Sequence, residues 1–219
     1  MESSRIYNKW PLAREGFPFV LVSCALTLVF SYLGLLFGSI LAGIACLFAM
    51  FFFRDPDRRN VVDKNAVLTP ADGKILEVRS FHDTNNPLGE PVVKISIFMS
   101  IFNVHVNRIP IGGMIEKITY HPGKFFSANL EKASKHNENN MITLQTPNSR
   151  RIVFVQIAGF IARRIACWVK EKDRVDAGQR FGIIRFGSRL EVYLPADSKI
   201  TVNLNEKVKA GETIIGYLS

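Results

Sequence analysis

The chain has 219 residues, which is room for one compact domain with an appendage and excludes two full-sized domains. Hydrophobic residues make up 47% of it and charged residues only 21%, and this balance excludes intrinsic disorder. A net charge of +9 indicates an anionic partner, and three Cys are too few for a disulfide framework or a zinc site, so no metal is expected.

The first element in chain order is a long apolar run. After a basic N-terminal segment, residues 1–16, no charged residue occurs between residues 17 and 53. The run is too long for one membrane helix of about 20 residues and long enough for two short ones. It also exceeds the apolar region of a signal peptide. We therefore predict a membrane helical hairpin over residues 17–53 that turns at residues 31–34.

Basic residues flank the apolar run on both sides. They are Arg5, Lys9 and Arg14 before it, and Arg54, Arg58, Arg59 and Lys64 after it. By the positive-inside rule both flanks belong in the cytoplasm, which requires an even number of crossings. We therefore expect the protein at the cell inner membrane, with its main domain on the cytoplasmic face.

The anionic partner predicted from the charge is the membrane surface. Arg54, Arg58 and Arg59 would form a basic rim that contacts anionic headgroups. The sequence contains no helix-turn-helix, zinc-finger or RNP-like motif, so we expect no nucleic acid.

Residues 54–219 form the second region, in which short apolar runs alternate with Gly, Pro, Asn and Asp. Such punctuation is typical of β-strands joined by tight turns. We predict a mainly β (α+β) fold: a compact, largely antiparallel β domain with carrier-like hairpins, preceded by the helical hairpin. The predicted strands are 74–79, 92–101, 113–120, 141–146, 151–157, 180–184, 190–194 and 214–218.

Two segments near the C-terminus resemble each other: VDAG (175–178) and VKAG (208–211). Gly in such a turn permits a positive φ, and turns of this type recur in biotinyl- and lipoyl-carrier-like β-folds. The similarity leaves open a non-catalytic, membrane-anchored carrier-like β module, in which Lys172 would be the modified residue.

The bond between Gly187 and Ser188 lies between two predicted strands. If the Ser hydroxyl attacks the preceding carbonyl, the peptide becomes an ester, and β-elimination then breaks the chain and leaves dehydroalanine. Loss of ammonia from that residue gives a pyruvoyl group. Gly on the acyl side keeps the carbonyl open to attack and tolerates a distorted backbone. Gly-Ser is also a common turn dipeptide, so the pair alone does not establish this chemistry.

Three further side chains could activate such a hydroxyl. Asp72 lies in a turn before a predicted strand, His105 lies in a β-like run, and His121 precedes Pro122 in a loop. An Asp that orients a His, which in turn deprotonates a Ser, is the usual way to activate a weak hydroxyl nucleophile. Each of the three also has an ordinary structural role open to it.

Taken in order, the motifs resemble those of the phosphatidylserine decarboxylases, in particular the short microbial form. They are FFRDP (52–56), PADG (70–73), FNVHVNR (102–108), PGKF (122–125), KAS (132–134), NE (137–138) and FGS (186–188). No single motif is specific, but the ordered set is, and the resemblance covers nearly the whole chain, including the membrane segment.

The resemblance implies a proenzyme that cuts itself between Gly187 and Ser188. The products would be a β chain, residues 1–187, and an α chain, residues 188–219, which remain together as a heterodimer. Ser188 would become the covalent pyruvoyl cofactor. Asp72 would orient the imidazole of His105, and His105 would act as the base in self-cleavage.

One position departs from the longer bacterial relatives, which carry a second His three residues after the first. Here that position is Arg108. Either His105 serves both self-cleavage and decarboxylation, or His121 takes one of these roles, so Arg108 and His121 are auxiliary candidates.

The implied reaction converts phosphatidylserine into phosphatidylethanolamine and CO₂. The pyruvoyl group would take up the electrons released as CO₂ leaves, and His105 would return a proton to the α-carbon. An alternative substrate is another serine phospholipid such as archaetidylserine, because no feature of the sequence specifies which lipid tails are bound. A homo-oligomer is compatible with the sequence. Self-cleavage separates the enzyme from the carrier-like module, since only the enzyme requires a broken chain.

Overall fold

The computed structural model describes residues 6–8, 10–58, 63–128, 136–160, 164–185 and 187–219. The KAS motif (132–134), Arg59 of the predicted basic rim and Phe186 of the FGS motif lie outside the described residues. Contacts within the chain divide it into one unit of Tyr7–Asp57 and a second unit that contains Arg58–Ser219 and Ile6.

The first unit is a helical hairpin. A 3₁₀ turn, Arg14–Gly16, leads into helix α1, Phe17–Tyr32, and helix α2 spans Leu36–Phe52. Gly34 lies between the helices with a φ of 70°, a conformation that glycine adopts without strain and that commonly ends a helix. The break therefore falls at the end of the predicted turn.

Both helices expose large apolar side chains. Arg14–Tyr32 is long and apolar enough to cross a membrane, and α2 is a shorter apolar helix. Water-soluble surfaces do not usually carry a continuous apolar face of this size, so the exposure is consistent with lipid contact. The exposed side chains include Leu21, Val22 and Leu28 on α1, and Phe37, Leu41 and Leu47 on α2.

Hydrogen bonds join the two ends of the hairpin. The Asp55 amide donates to the Pro11 carbonyl at 2.8 Å, and the Ala13 amide donates to the Phe53 carbonyl at 2.8 Å. The Asn8 side-chain amide donates to the Asp55 carboxylate at 3.1 Å. The segments before α1 and after α2 therefore lie side by side, so Arg14 and Arg54 are at the same end of the hairpin. Arg5 and Lys9 of the first basic flank lie outside the described residues.

The second unit consists of antiparallel β-sheets. Its strands are β1 Ala66–Leu68, β2 Gly73–Phe81, β3 Val92–Met99, β4 Val106–Arg108, β5 Gly113–His121, β6 Asn139–Gln145, β7 Arg151–Ala158, β8 Ile165–Cys167, β9 Arg174–Val175, β10 Arg180–Ile184, β11 Ser188–Pro195, β12 Lys199–Ile200, β13 Lys207–Val208 and β14 Ile214–Tyr217. The described strands form an eight-stranded sheet in the order β13-β2-β3-β11-β7-β6-β5-β9 and two three-stranded sheets, β1-β14-β12 and β4-β10-β8. The predicted mainly β, largely antiparallel fold is confirmed.

Every strand predicted from the sequence is present, with ends that differ by at most two residues. The strands that were not predicted, β1, β8, β9, β12 and β13, have only two or three residues each. A run that short carries no measurable alternation of polar and apolar residues, so a sequence pattern cannot reveal it. The β-like run predicted around His105 is reduced to the three residues of β4, and His105 itself lies just before that strand.

The two similar VDAG and VKAG segments occupy equivalent places at opposite edges of the large sheet. Strand β9 pairs with β5 and strand β13 pairs with β2, and Gly178 and Gly211 have φ angles of 76° and 72°. Counted inward from one edge of the large sheet the strands are β13, β2, β3 and β11, and from the other edge they are β9, β5, β6 and β7. Strands at the same place in the two series correspond to each other. The small sheets β1-β14-β12 and β4-β10-β8 correspond strand by strand in the same way. The unit thus has two matching halves, and the second half, β4–β10, is inserted into the first between β3 and β11.

Candidate active site

Ser188 is the first residue of β11, in the middle of the large sheet. It pairs with Met99 of β3 on one side and with Ala158 of β7 on the other. Because strand residues alternate between faces, its side chain shares the core face with Leu190. The side chain is fully buried, and its hydroxyl donates to the Met99 sulfur at 3.4 Å. The predicted nucleophile is therefore shielded from water.

The preceding residue, Gly187, has a φ of 58°, a conformation that side-chain-bearing residues rarely adopt. Its carbonyl oxygen rests against Gly159, so closely that a Cβ added to Gly159 would lie 2.0 Å from it. The carbonyl that Ser188 would attack thus occupies space that only a glycine leaves open. Gly159 had no predicted role because its importance depends on the pairing of β7 with β11.

His105 is fully buried in the loop between β3 and β4. Its Nδ1 lies 2.9 Å from the Asn103 carbonyl, which can only accept a hydrogen bond. Nδ1 therefore carries the proton in the neutral ring, and Nε2 carries the lone pair that a general base needs. The Asn103 side chain accepts hydrogen bonds from the Ser100 amide at 2.9 Å and the Ser100 hydroxyl at 2.8 Å, which holds the turn before His105.

Three buried side-chain amides form a hydrogen-bonded chain that ends at Met99, the residue that the Ser188 hydroxyl contacts. Asn140 of β6 donates to Gln156 of β7 at 3.0 Å, and Gln156 donates to Asn107 of β4 at 2.8 Å. Asn107 in turn points its amide nitrogen at the Met99 sulfur, 3.7 Å away. The loop from Met99 to Asn107 therefore closes on itself beside Ser188 and contains His105. Asn107 belongs to the FNVHVNR motif but had no predicted role.

Asp72 lies in the turn directly before β2. Both of its carboxylate oxygens contact the Arg58 guanidinium, at 3.1 and 2.9 Å, and one accepts a hydrogen bond from the Ala210 amide at 2.8 Å. Arg58 also pairs with Glu212 at 3.1 Å. The pairing with Arg58 was not predicted. Arg58 had been predicted to belong to the basic rim. The role of Asp72 in orienting His105 stays a prediction.

Arg108, three residues after His105, is buried and holds the two similar turns together. Its guanidinium donates to the Gly178 carbonyl at 2.9 Å, and its Cδ packs against Gly211, where an added Cβ would lie 2.9 Å away. Through these contacts Arg108 links the two halves of the unit. Its auxiliary role in the chemistry stays a prediction.

His121 lies at the exposed end of β5, opposite Asn139 of β6. By alternation these residues face away from the core, whereas Ser188 faces into it. His121 lines an open cleft of about 430 Å³ together with His136, Glu191 and Tyr193. The structure therefore brings Ser188 and the loop of His105 together on one face and leaves His121 on the other.

Charged side chains cluster on that outer face, immediately behind Ser188. Arg189 contacts Glu191 at 2.9 Å and Ser96 at 2.8 Å, and Lys94 contacts Glu77 at 2.7 Å. Arg189 and Glu191 are buried, where a charge without a partner would be costly. Burial alone would raise the pKa of Glu77, but the hydrogen bond and charge of Lys94 and the charge of Arg189 outweigh it and lower that pKa.

Replacing Glu77 with Gln should destabilise the chain by about 2 kcal/mol at pH 7, because Lys94 and Arg189 lose a charged partner. A folded-state pKa below the ordinary 4.5 gives stability that is present above that value and is lost as the pH falls through the folded-state pKa. Thermal unfolding of the full chain in neutral detergent at pH 7 and pH 3.5 measures this. Glu90→Gln, at an exposed position, is the control. An equal difference at both pH values would contradict the assignment.

The assembled site offers a specific chemistry. It combines a buried hydroxyl, a carbonyl held in an unusual backbone conformation and a buried imidazole whose Nε2 carries a lone pair when the ring is neutral. This set suits acyl transfer within the chain. Among the described residues, no group of three His, Cys, Asp or Glu side chains could hold a metal ion.

Comparison with known proteins shows which family the chain belongs to. The sequence pattern of the phosphatidylserine decarboxylase family matches residues 46–216. The phosphatidylserine decarboxylase proenzyme of Syntrophus aciditrophicus is 48% identical over 94% of this chain and 96% of its own length. Those of Desulfotalea psychrophila and Pelobacter propionicus are each 46% identical over 95% of this chain and 97% of their own lengths. The chain therefore belongs to the phosphatidylserine decarboxylase family.

Proposed function

We propose that this decarboxylase cleaves itself between Gly187 and Ser188, converts Ser188 into a pyruvoyl group and then decarboxylates phosphatidylserine to phosphatidylethanolamine. The observation that carries the proposal is the Gly187-Ser188 bond itself. It combines a positive φ, a fully buried hydroxyl and a carbonyl seated on Gly159. The names of the relatives favour phosphatidylserine over other serine phospholipids, and family membership favours an enzyme over a carrier-like module.

Self-cleavage needs a base, a nucleophile and a leaving group. His105 Nε2 takes the hydroxyl proton of Ser188, and Oγ attacks the Gly187 carbonyl carbon. The peptide C–N bond then breaks, and the nitrogen of residue 188 receives that proton from His105, which leaves an ester and a free amine. Loss of the α-proton of residue 188 then expels Gly187 as a carboxylate and leaves dehydroalanine. Addition of water to its imine form releases ammonia and completes the pyruvoyl group. Each step uses groups of this chain and one water molecule.

The surroundings of Ser188 fit a pyruvoyl group. Met99 and Ala158, its partners across β3 and β7, are uncharged and fully buried, so a ketone at this position is protected from bulk water. Such a group supplies an electron-accepting carbonyl for the decarboxylation. Met99, Ala158 and the Asn107 amide would hold it. The buried His105 supplies the proton for the α-carbon of the product.

The supporting residues have distinct proposed roles. His105 lies in the loop that closes beside Ser188, so we assign both proton-transfer steps to it rather than to His121, whose side chain faces the other side of the sheet. Asp72 would orient His105, and its two contacts with the Arg58 guanidinium hold the carboxylate in place. The processed α and β chains would stay together, because β11 pairs with a β-chain strand on each side.

The lipid substrate suggests where the enzyme works. The exposed apolar side chains of α1 and α2 would hold the hairpin in the inner membrane, and the basic flanks would keep both of its ends at the cytoplasmic surface. Anchoring of this kind keeps the enzyme at the surface where phosphatidylserine resides.

The test is mass analysis of the full chain purified in neutral detergent, combined with an assay on phosphatidylserine in mixed micelles. We expect a fragment of residues 188–219 that is lighter than its encoded sequence by one ammonia and resists N-terminal sequencing. Phosphatidylethanolamine and CO₂ should form in equal amounts. An uncut chain that decarboxylates, or a fragment with a free serine amine, would refute the proposal.

A further inference from the structure

The buried amide chain has a direction. Asn140 donates to the Gln156 carbonyl oxygen, and Gln156 donates to the Asn107 carbonyl oxygen. Gln156 and Asn107 therefore each use the side-chain oxygen to accept a hydrogen bond from the amide before them in the amide chain. The last amide, Asn107, is left with its N–H group pointing at the Met99 sulfur, the atom that the Ser188 hydroxyl also contacts. All three side chains are buried, so water does not compete for these bonds.

The Asn107 side-chain amide, the last donor of the chain, has an unusually weak hydrogen-bond acceptor. Asn107 Nδ2 points at the Met99 sulfur at 3.7 Å, and the Ser188 hydroxyl points at the same sulfur at 3.4 Å. A thioether is a poor hydrogen-bond acceptor, whereas buried donors normally find an oxygen. The Asn107 N–H group and the Ser188 hydroxyl thus contact the same sulfur atom. Either group can give up this weak hydrogen bond at little cost in free energy.

A glycine in β10, the strand that pairs with β4, leaves room for the hydrogen bond between Gln156 and Asn107. Gly182 of β10 faces Gln156, and a Cβ there would lie 2.9 Å from the Gln156 amide nitrogen. The missing side chain lets Gln156 reach Asn107 across the core. Gln156 and Asn140 therefore fix the direction in which the Asn107 amide points.

We propose that Asn107 is a catalytic residue for self-cleavage, and that its amide stabilises the negative charge that develops on Oγ of residue 188 when the ester breaks. In that step a base removes the α-proton, and the C–H electron pair forms the Cα=Cβ bond. The Cβ–Oγ bond breaks with its electron pair on Oγ, which departs as a carboxylate oxygen of Gly187. Gln156 and Asn140 are positioning residues. The inference rests on the proposed self-cleavage.

Asn107→Leu removes the donor and keeps the volume of the side chain. We expect self-cleavage of the full chain, made by cell-free synthesis in neutral detergent, to slow by about 100-fold. If breakage of the ester is the step that is slowed, the uncleaved ester should accumulate in this variant. Hydroxylamine attacks esters and spares peptide bonds, so it should release from this variant a 188–219 fragment that keeps its serine amine and full encoded mass. Asn107→Asp, which replaces the donor with an acceptor, should behave in the same way.

Asn139→Leu is the matched control, since Asn139 is the next amide on β6 and faces away from the core. This variant should yield the pyruvoyl fragment at the wild-type rate. Gln156→Leu, which frees the Asn107 amide to rotate, should give a smaller delay with the same hydroxylamine-sensitive species.

Two results would overturn the inference. One is wild-type cleavage by Asn107→Leu or Asn107→Asp. The other is an uncut chain that resists hydroxylamine in both variants, since a structural defect leaves no ester to trap. Failure of the underlying function appears separately, as a wild-type chain that never cleaves.

Discussion

A chain with Ser188 replaced by Ala should remain full length and should never produce the 188–219 fragment or decarboxylate phosphatidylserine. In the proposed mechanism the Ser188 hydroxyl attacks the Gly187 carbonyl, and the pyruvoyl carbons would come from the same residue. The variant should fold normally, because the bond from the hydroxyl to the Met99 sulfur is weak. Electrophoresis with intact-mass analysis gives the cleavage result, and thermal unfolding checks the fold.

Ser198→Ala serves as the control for this variant, since Ser198 is a buried serine in the same C-terminal segment. It should cleave at the wild-type rate. Cleavage of the Ser188→Ala chain at the same bond would mean that another group attacks, and the proposed mechanism would be wrong.

Gly159→Ala should slow self-cleavage by about 100-fold. The added Cβ would lie 2.0 Å from the Gly187 oxygen, a distance that non-bonded atoms do not tolerate. The conflict cannot be relieved by a flexible side chain, since the oxygen belongs to the backbone and Ser188 is paired on both sides. The scissile carbonyl must move, and a displacement of about 1 Å can reduce a rate by about 100-fold. The half-time of fragment appearance measures the effect.

Gly112→Ala is the matched control, because a Cβ at Gly112 would meet its nearest atom, the Val175 oxygen, at an ordinary 3.5 Å. It should cleave like the wild type. If Gly159→Ala also cleaves at the wild-type rate, the contact does not position the carbonyl.

The sequence predicted the parts of the fold that repeat over several residues. Strands such as β3 and β7 carry long runs of β-branched residues, and the hairpin carries an uninterrupted apolar run. The short strands β9 and β13 have no such pattern, although the VDAG and VKAG similarity indicated the turns that follow them. Their equivalence became visible only once the strand order was known.

The candidate site was predictable only in part. Ser188, Asp72 and His105 are recognisable as members of an ordered set of motifs. Gly159 and Gln156 matter because β7 pairs with β11 and because Gln156 donates to Asn107 of β4, and these contacts join residues far apart in the chain. His121 illustrates the same limit, since alternation along a strand assigns a face only when its register with the neighbouring strand is known.

The insertion of one half of the unit into the other has a consequence for maturation. The bond between Gly187 and Ser188 lies where the first half resumes, so cutting it divides no strand. The Gly187 carbonyl can rest on Gly159 only after β11 has entered between β3 and β7. Cleavage would therefore act as a folding checkpoint that releases active enzyme only from a completed sheet. Once cut, the central strand belongs to a separate molecule, and refolding after denaturation would require two pieces to meet, which makes maturation a one-way event.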